Sequence, residues 1–380
     1  MKNILFENFD LSGTLLKNHI VMAPMTRSRA KHDIADEMTA LYYSQRATAG
    51  LIVTEGTPIS REGQGYLFNP GIYSSEQIDG WKLVTDSVHA LGGKIFAQLW
   101  HVGRLSHPSI QNNNALPVSP SSKQASGAKA FGYDENGQPA LIDSPVPRQL
   151  ETHEVIRLVE DFKKAAENAI KAGFDGVEIH GANGYLLEQF LNPNVNDRSD
   201  QYAADTLENR QRFVLEVIDA VTAAIGSKRV GIRLSPYGQL FDMPHYPEID
   251  ETYESLADEI GHRKLAYVHL MNQSGFSRAD QGVEDTQATG FMALARRMKS
   301  HLGDTALILA GGMTQELAVQ MINAGDIDLA AFGSPFISNP DLVKRMHDDL
   351  PLTAPDQNTF YGGDEHGYID YAPFKAGSAE

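Results

Sequence analysis

Three hydrogen-bonding side chains stand at the end of a short apolar run in the segment VEIHGANGYLLEQFL, which extends from Val177 to Leu191. His180, Asn183 and Tyr185 come where the apolar pattern of a strand gives way to the amphipathic pattern of a helix. Because His180 and Asn183 are three residues apart, their N–H donors can converge on one oxygen of a ligand and stabilise negative charge there. The alternative is a core histidine whose ring is satisfied by backbone groups.

The elements that would position these side chains are eight short apolar runs, each followed by a turn. The runs are HIVMAP from His19, LIVTEG from Leu51, KIFAQLW from Lys94, GVEIHG from Gly176, VGIRLS from Val230, LAYVHLM from Leu265, ALILAGG from Ala306 and DLAAFG from Asp328. Most are apolar almost throughout, which is typical of strands covered on both faces. Helical patterns separate most of them, so the chain predicts parallel βαβ units, and eight such units favour a closed (β/α)8 TIM barrel. A doubly wound open sheet is the alternative fold, but its dinucleotide-binding form needs a Gly-rich loop after the first strand, where this chain has VMAPMTRS.

Two of the intervening helices carry clear signals. The segment TLENRQRFVLEVIDAVTAAI places five apolar residues on one face, namely Phe213, Val214, Val217, Ile218 and Val221. The segment THEVIRLVEDFKKAAENAIKAG predicts an N-cap at Thr152, an acidic first turn through Glu154 and a C-terminal cap at Gly173.

Two further segments lie outside the alternating pattern. LFENFDLSGTLLKN, near the N-terminus, predicts a small hairpin that closes the bottom of the barrel. The stretch from about His101 to Arg148 is rich in Pro, Ser, Asn and Gly and follows the third strand. We therefore expect a capping insertion over the active-site face, with a short hairpin in it. Because the chain has no repeat, low-complexity tract or linker, residues 1–380 are predicted to form a single domain.

Composition excludes several classes of function. An apolar share of 42% with 21% charged residues predicts a large core rather than a disordered chain. The net charge of −17 disfavours nucleic acid and anionic membrane as partners, although a local basic pocket could still hold an anionic cofactor. The absence of Cys excludes disulfides, thiolate zinc sites and Cys-ligated iron–sulfur clusters. The start MKNILFENFDLSG does not have the pattern of a signal peptide, and no apolar run approaches the roughly 20 residues of a membrane span, so a cytoplasmic protein is expected.

In a barrel, the functional positions are the C-terminal ends of the strands. Here these ends carry Pro24, Met25, Thr26, Glu55, Gly56, Thr57, Gln98, Trp100, His180, Asn183, Tyr185, Arg233, Gly311, Gly312, Gly333 and Ser334. Few of these residues are acids, and no three of them form a metal-ligand set. Glu178 shares a strand face with His180 and is expected one layer below the end of that strand. Neutral hydrogen-bonding groups with one Arg and Gly-rich turns suit a flat polar heterocycle that carries a phosphate.

The two Gly turns, ILAGGM and AFGSPF, end the last two strands, where many barrels bind phosphate through backbone N–H groups. Taken singly, each could be an ordinary turn, but as a pair they favour a phosphate site. Arg233 is the only cation in the set of strand ends and could face the electron-rich edge of a bound ring. Alternatively, Arg233 is a buried arginine paired with Glu55 or another core carboxylate.

Several segments closely resemble the Old Yellow Enzymes, which are FMN-containing barrel reductases of activated alkenes. The matching segments are APMTRSRA, EGT, AQLWHVGR, HGANGYLLEQFLNPNVNDRSDQY, TLENR and SNPDL. The resemblance extends from Leu5 to about Tyr371, and HGANGYLLEQFLNP followed by ENR is highly specific. Thr26 and the QLW segment resemble the subgroup that has Thr near the flavin. The absence of Cys excludes both the subgroup with Cys at that position and the branch with an iron–sulfur cluster.

The resemblance implies a role for each position. The FMN ring would be held by Pro24, Met25, Thr26, Gly56, Gln98 and Arg233. The FMN phosphate would be held by Gly311, Gly312, Gly333 and Ser334. The substrate side would be lined by Tyr66, Trp100 and Tyr361. His180 and Asn183 would bind the carbonyl or nitro oxygen of the substrate, and Tyr185 would be the general acid that protonates the α-carbon, opposite the arriving hydride.

The reaction implied by the resemblance is reduction of activated C=C bonds in enones, enals, nitroalkenes and maleimides. It would proceed by a ping-pong mechanism with tightly bound FMN and with NADPH or NADH as reductant. One alternative is a reductase of nitrate esters, nitroaromatics or quinones that uses the same site. Another is a flavin-binding protein or redox sensor without turnover. The partners would be small molecules, and the protein would be a monomer or a homodimer.

Ser334 departs from the family pattern, which usually has Arg in an FGR turn at this position. Serine provides one hydroxyl and no charge, so one charge-assisted hydrogen bond to the phosphate is lost. We therefore expect FMN to bind more weakly here than in relatives with Arg, unless Arg27 or Arg29 takes over the contact.

Overall fold

Eight parallel strands close into a barrel in the computed structural model of the protein, which describes residues 3–273 and 286–375. In chain order the strands are β1 Phe9–Leu11, β2 Thr14–Leu16, β3 Ile20–Met22, β4 Leu51–Pro58, β5 Ile95–Trp100, β6 Val118–Ser119, β7 Lys129–Tyr133, β8 Pro139–Asp143, β9 Arg148–Gln149, β10 Gly176–Gly181, β11 Val230–Leu234, β12 Tyr267–Met271, β13 Ala306–Ala310 and β14 Leu329–Phe332. The barrel has the order β3, β4, β5, β10, β11, β12, β13, β14, and β14 pairs with β3 through Ala330 and Ile20. This closure confirms the predicted (β/α)8 TIM barrel and excludes the open sheet.

Helices alternate with the barrel strands and cover their outer face. In chain order they are α1 Glu37–Ser44, α2 Ser75–Ala90, α3 Thr152–Lys171, α4 Leu186–Leu191, α5 Leu207–Ile225, α6 Ile249–Arg263, α7 Thr286–His301, α8 Gln315–Ala324, α9 Ser334–Ser338 and α10 Leu342–His347. Outward-facing strand residues such as Val177, Ile179 and Ile232 pack with the helices in one large apolar core. The five apolar residues predicted for one face of α5 are all buried in that core.

The N-terminus of α3 differs from the prediction by one residue. The N-cap is Glu151 and Thr152 is the first helical residue, so the predicted Thr152 cap is wrong. The Thr152 hydroxyl donates instead to Asp200 at 2.6 Å, while the carboxylate of Glu154 accepts the backbone N–H of Glu151 at 2.8 Å, as in a capping box. Gly173 lies just past the helix with a φ of +91°, the left-handed conformation that commonly ends a helix.

The inside of the barrel is divided into an apolar half and a polar half. Small and branched apolar side chains of β3, β4, β13 and β14 fill one half, and Phe96 of β5 with Tyr267 and Met271 of β12 extend the same cluster. Leu11 and Leu16 of the predicted N-terminal hairpin, formed by β1 and β2, pack into the same cluster. The other half carries buried polar side chains on β5, β10, β11 and β12, namely Gln98, Glu178, Arg233 and His269. Because buried polar groups need partners, the polar half indicates where a ligand binds.

The predicted capping insertion lies between β5 and α3. It contains the antiparallel hairpin β7–β8, in which Phe131 pairs with Leu141. The N–H of Phe131 donates to the carbonyl of Gly65 at 3.2 Å, and the carbonyl of Phe131 accepts the N–H of Leu67 at 2.9 Å. These bonds tie the hairpin to the segment after β4 and so fix the insertion relative to the barrel.

The single domain over residues 1–380 stays a prediction, because residues 1–2, 274–285 and 376–380 lie outside the described part of the chain. Within the described part, no helix combines the length and the apolar character that crossing a membrane requires. In the same residues, no group of three or more His, Asp or Glu side chains is arranged to hold a metal ion.

Candidate active site

A cavity of about 880 Å³ lies at the C-terminal ends of the barrel strands. It is lined by all sixteen residues predicted for the site: Pro24, Met25, Thr26, Gly56, Tyr66, Gln98, Trp100, His180, Asn183, Tyr185, Arg233, Gly311, Gly312, Gly333, Ser334 and Tyr361. The fold therefore brings the predicted catalytic, cofactor and substrate positions together, while the role of each residue stays a prediction.

Several other lining residues lie away from the strand ends and could not be predicted from them. They come from the insertion, from the loop after β11 and from the C-terminal segment, and include Ala128, Phe131, Leu141, Leu240, Phe241 and Phe360. The position of the insertion after β5 was the one signal that pointed to the first three. No periodic pattern in the other two segments indicated that they reach the cavity.

The turn between β10 and α4 is held by hydrogen bonds from its backbone. Asn183 has a left-handed conformation with φ +58°, which Asn tolerates better than most residues. Its N–H donates to the hydroxyl of Ser235 at 2.8 Å, and the N–H of Gly184 donates to the carboxyl group of Glu188 at 2.6 Å. Burial raises the pKa of Glu188 to about 7, although the hydrogen bonds from the N–H of Gly184 and from the Ser235 hydroxyl at 3.0 Å oppose this shift. Ser235 and Glu188 therefore fix the backbone on which the predicted catalytic side chains are carried.

His180 is buried at the end of β10, where its ring stacks beside Trp100 with centroids 5.9 Å apart. Burial lowers the pKa of His180 well below its ordinary value, and the nearby Arg233 lowers it further. The Nδ1 of His180 accepts the N–H of Ala182 at 3.3 Å. A neutral ring that accepts at Nδ1 carries its hydrogen on Nε2, so His180 has an N–H donor that no described residue accepts. A core histidine satisfied by backbone does not account for this second nitrogen.

Tyr185 is 7% exposed and meets Trp100 edge-on, with ring centroids 4.8 Å apart. Its hydroxyl lies 3.3 Å from that of Tyr66, whose ring stacks on Trp100. Burial raises the pKa of Tyr185 well above its ordinary value, and Tyr66 raises it further. Burial also raises the pKa of Tyr66 to about 12. Both phenols are therefore protonated at neutral pH, as a proton donor must be.

Glu178 lies one layer below His180 on β10 and is fully buried, as expected. Its carboxylate accepts an N–H of the Gln98 amide at 2.8 Å and Nδ1–H of His269 at 2.8 Å. Burial by itself would raise the pKa of Glu178, but the hydrogen bonds from His269 and Gln98, with the attraction of Arg233, lower it. Burial lowers the pKa of His269, so the pair is a carboxylate bound to a neutral imidazole. Because Glu178 takes one N–H of Gln98, the rest of that amide is available to a ligand.

Arg233 is 5% exposed, yet it forms no salt bridge within the described residues. Its Nη2 contacts the sulfur of Met271 at 3.2 Å, and its Nε has no hydrogen-bond partner. The alternative pairing with Glu55 is wrong, because that carboxylate accepts the N–H of Arg27 and the hydroxyl of Tyr43 instead. Another core carboxylate, Glu178, attracts Arg233 but forms no hydrogen bond with it. A buried cation with unused donors is costly. Since Arg233 lines the cavity, we expect a ligand to supply the missing acceptor.

The turns after β13 and β14 present backbone to the cavity. Gly311 and Gly312 have φ values of +109° and +64°. A Cβ at Gly311 would lie 2.0 Å from the carbonyl oxygen of Asn272, so no larger residue fits there. A Cβ at Gly333 would meet only the sulfur of Met25 at 3.6 Å among the described atoms, which leaves space above this turn. Both turns suit the predicted phosphate end of the site.

Arg27 and Arg29 do not replace the arginine that is missing at Ser334. Their guanidinium groups bind carbonyl oxygens of residues 359–367, and neither residue lines the cavity. The exception allowed for these two residues, that one of them takes over the phosphate contact, therefore does not apply. Instead they anchor the C-terminal segment, which brings Tyr361, 67% exposed, to the rim of the cavity.

Residues 4–353 match the family model described as the NADH:flavin oxidoreductase / NADH oxidase family. Among curated proteins, the chain is 40% identical to 12-oxophytodienoate reductase 7 of Oryza sativa subsp. japonica, over 97% of this chain and 94% of the relative. It is 39% identical to the flavin oxidoreductase hxnT of Emericella nidulans, over 97% of each chain.

Two solved structures have closely similar folds. Morphinone reductase in complex with tetrahydroNAD superposes with a TM-score of 0.91 and 41% sequence identity, over 99% of both chains. The old yellow enzyme homologue from Zymomonas mobilis superposes with a TM-score of 0.88 and 36% identity, over 97% of this chain and 99% of that one.

Proposed function

The chain belongs to the NADH:flavin oxidoreductase / NADH oxidase family, the Old Yellow Enzymes, and from this membership we propose that it reduces activated C=C bonds. The substrates are enones, enals, nitroalkenes and maleimides, the bound cofactor is FMN, and the reductant is NADPH or NADH. One observation carries the proposal. Two N–H donors, on His180 and Asn183, and the protonated hydroxyl of Tyr185 line one cavity with Arg233, a buried cation whose Nε has no acceptor among the described residues.

The residues of the cavity fit a flavin. The unpaired Nε of Arg233 and the available part of the Gln98 amide would hold the pyrimidine edge, together with Thr26. Four lining residues are small, which leaves room for a flat ring, namely Ala23, Gly56, Ala310 and Ala331. The Gly turns after β13 and β14, with Ser334, would hold the phosphate. When bound, FMN supplies the hydride for the alkene.

The protein's own residues polarise the substrate and supply the proton. Nε2–H of His180 and the side-chain amide of Asn183 donate to the carbonyl or nitro oxygen, which draws electron density away from the double bond. The β-carbon becomes electrophilic, and preorganised donors of this kind typically contribute about 3 kcal/mol each to the transition state. Tyr185 gives its proton to the α-carbon. Its raised pKa suits this step, because only a strongly basic carbon can take the proton.

Reduction of nitrate esters, nitroaromatics or quinones is the second candidate, and the aromatic walls of the cavity favour it. Tyr66 stacks on Trp100 with centroids 5.5 Å apart, and Phe241 lies 5.6 Å from the ring of Tyr185. Such faces suit flat aromatic oxidants. These reactions do not require protonation of a carbon, so they do not depend on Tyr185. A flavin-binding protein or redox sensor without turnover would be reoxidised by none of these compounds.

An anaerobic titration of the purified protein tests the proposal. We expect the absorption spectrum of a flavin, its bleaching by NADPH or NADH, and its recovery when cyclohexenone is added. Bleaching without recovery by cyclohexenone, but with recovery by a nitroaromatic or a quinone, would favour the second candidate. A bleached flavin that none of these oxidants restores would contradict both candidates and favour the binding protein.

Substitution of Ser334 by arginine is expected to strengthen FMN binding about tenfold, because a charge-assisted hydrogen bond contributes more than a neutral one. The measurement is the dissociation constant of FMN, from the fluorescence of the flavin as it is released. Riboflavin, which has no phosphate, is the matched control, and its affinity should not change. Equal FMN affinity in Ser334→Arg and wild type, or an equal gain for riboflavin, would contradict the assignment of Ser334 to the phosphate.

A further inference from the structure

The side-chain amide of Asn183 has one hydrogen bond to the rest of the described chain. Its Oδ1 accepts Nε2–H of Gln273 at 3.1 Å. Gln273 follows β12 and belongs to a different part of the barrel rim from the turn that carries Asn183. The contact therefore joins the predicted donor pair to a residue that the mechanism does not use.

The orientation of the Gln273 amide is determined by its other contacts. Its Oε1 accepts the backbone N–H groups of Gln239 at 2.8 Å and Leu240 at 3.1 Å. A backbone N–H can only donate, so the atom that faces these two groups must be the amide oxygen. The nitrogen of Gln273 then faces Asn183, and only the oxygen of Asn183 can accept from it. The Nδ2 donor of Asn183 is consequently the part of the amide left for the cavity.

The packing around Gln273 restricts its rotation. A Cβ placed on Gly238 would lie 2.5 Å from Nε2 of Gln273, so the side chain rests directly on the backbone of this loop. The same loop contributes Leu240 and Phe241 to the cavity wall. The backbone of Asn183 is held separately, by Ser235. The backbone position and the amide orientation of Asn183 thus depend on different residues and can be tested separately.

We propose that Gln273 is a positioning residue that turns the amide nitrogen of Asn183 toward the cavity, so that an oxygen acceptor meets two donors. The inference rests on the proposed function for its catalytic consequence. It extends that function to substrate specificity. The preference for carbonyl- or nitro-activated substrates is assigned to a chain of hydrogen bonds that runs from the backbone of residues 239–240 through Gln273 to Asn183. A ligand that offers only acceptor atoms binds well, because the Asn183 amide presents its N–H donors to the cavity and not its oxygen.

The test is Gln273→Glu, compared with Gln273→Met at pH 8. A carboxylate still accepts from both backbone N–H groups but has no hydrogen for Oδ1 of Asn183. The Asn183 amide then reverses to donate to the carboxylate and presents its oxygen to the cavity. We expect kcat/KM for cyclohexenone to fall about 10- to 100-fold, because one donor is lost and two acceptors face each other. Gln273→Met leaves the Asn183 amide free to rotate, so kcat/KM should fall less than in Gln273→Glu.

Ligand binding separates a positioning role from a structural one. In the oxidised holoenzyme, cyclohexanone offers only an acceptor, whereas cyclohexanol can also donate to a reversed amide. We expect Gln273→Glu to weaken the binding of cyclohexanone at least about tenfold relative to that of cyclohexanol. Both dissociation constants are measured from the shift of the flavin absorption. Reoxidation of the dithionite-reduced flavin by dioxygen needs no donor pair and should be unchanged.

Three results would overturn the inference. These are wild-type kinetics and affinities in Gln273→Glu, an unchanged cyclohexanone-to-cyclohexanol ratio despite slower turnover, and equal losses in Gln273→Met and Gln273→Glu. If Gln273→Glu does not fold, wild-type kcat/KM in Gln273→Met would overturn it, and a loss would support it. Failure of the proposed function has a different signature. The wild-type enzyme would then not reduce cyclohexenone, while the ratio of the two affinities would still report the amide orientation.

Discussion

Replacement of Tyr185 by phenylalanine is expected to slow the reduction of cyclohexenone by about 10²- to 10⁴-fold, the usual contribution of a general acid. Phenylalanine keeps the edge-on contact with Trp100 and removes only the hydroxyl. Hydride can still reach the β-carbon, but the α-carbon then has to take its proton from water, which a 7% exposed position admits poorly. The measurement is single-turnover reoxidation of the reduced flavin by cyclohexenone, followed by stopped flow.

Two comparisons make the Tyr185→Phe result specific. Reduction of the flavin by NAD(P)H and turnover of a nitroaromatic should stay within a few-fold of wild type, because neither requires a proton from Tyr185. Tyr66→Phe is the matched variant, since its hydroxyl is 3.3 Å from that of Tyr185 but donates no proton in the proposed mechanism. It should lose far less. Equal cyclohexenone rates in wild type and Tyr185→Phe would remove Tyr185 from the mechanism.

The sequence was sufficient for the barrel and for most residues at its strand ends, although Glu55 and Thr57 do not line the cavity. Eight apolar runs separated by helices leave few topologies, and in a closed barrel the C-terminal ends of all strands meet at one rim. Residues as distant in sequence as Thr26 and Arg233 could therefore be assigned to one cavity, which they do line. Glu178 could be placed one layer lower because strand side chains alternate with a period of two.

Pairing between side chains from different loops could not be predicted in this way. Arg27, Arg29 and Arg233 are all buried, but only the contacts of the folded chain distinguish the two that bind carbonyl oxygens from the one with an unused Nε. Gln273 carries no motif and becomes informative only through its bonds to Asn183 and to the 239–240 backbone. The prediction of Thr152 as the N-cap was wrong for a similar reason, because its hydroxyl donates to a tertiary partner and does not cap the helix.

The unused donors of Arg233 predict that Arg233→Met has opposite effects with and without FMN. In the apoprotein, Nε of the buried guanidinium has no acceptor among the described residues, and we expect this cost to match or exceed the attraction of Arg233 to Glu178, with which it forms no hydrogen bond. Its removal should therefore leave the melting temperature unchanged or raise it. Glu178 keeps its hydrogen bonds from Gln98 and His269 in the variant. With FMN, the lost charge-assisted contact should weaken binding about 10- to 100-fold. The gain in melting temperature on adding FMN should therefore be smaller than in wild type.

Arg210→Met is the matched control, because Arg210 is equally buried at 5% exposure but has its partners within the fold. Its Nη1 donates to the hydroxyl of Thr252 at 2.8 Å, and its Nη2 donates to the carbonyl of Ala204 at 3.2 Å. Removing it leaves these acceptors unpaired, so it should lower the melting temperature of the apoprotein and of the FMN complex alike. If Arg233→Met lowered the apoprotein melting temperature as much as Arg210→Met, Arg233 would be a structural residue. An unchanged or higher melting temperature in Arg233→Met would mean that the charge of Arg233, which the ligand needs, destabilises the apoprotein. Binding and stability would then make conflicting demands on one side chain.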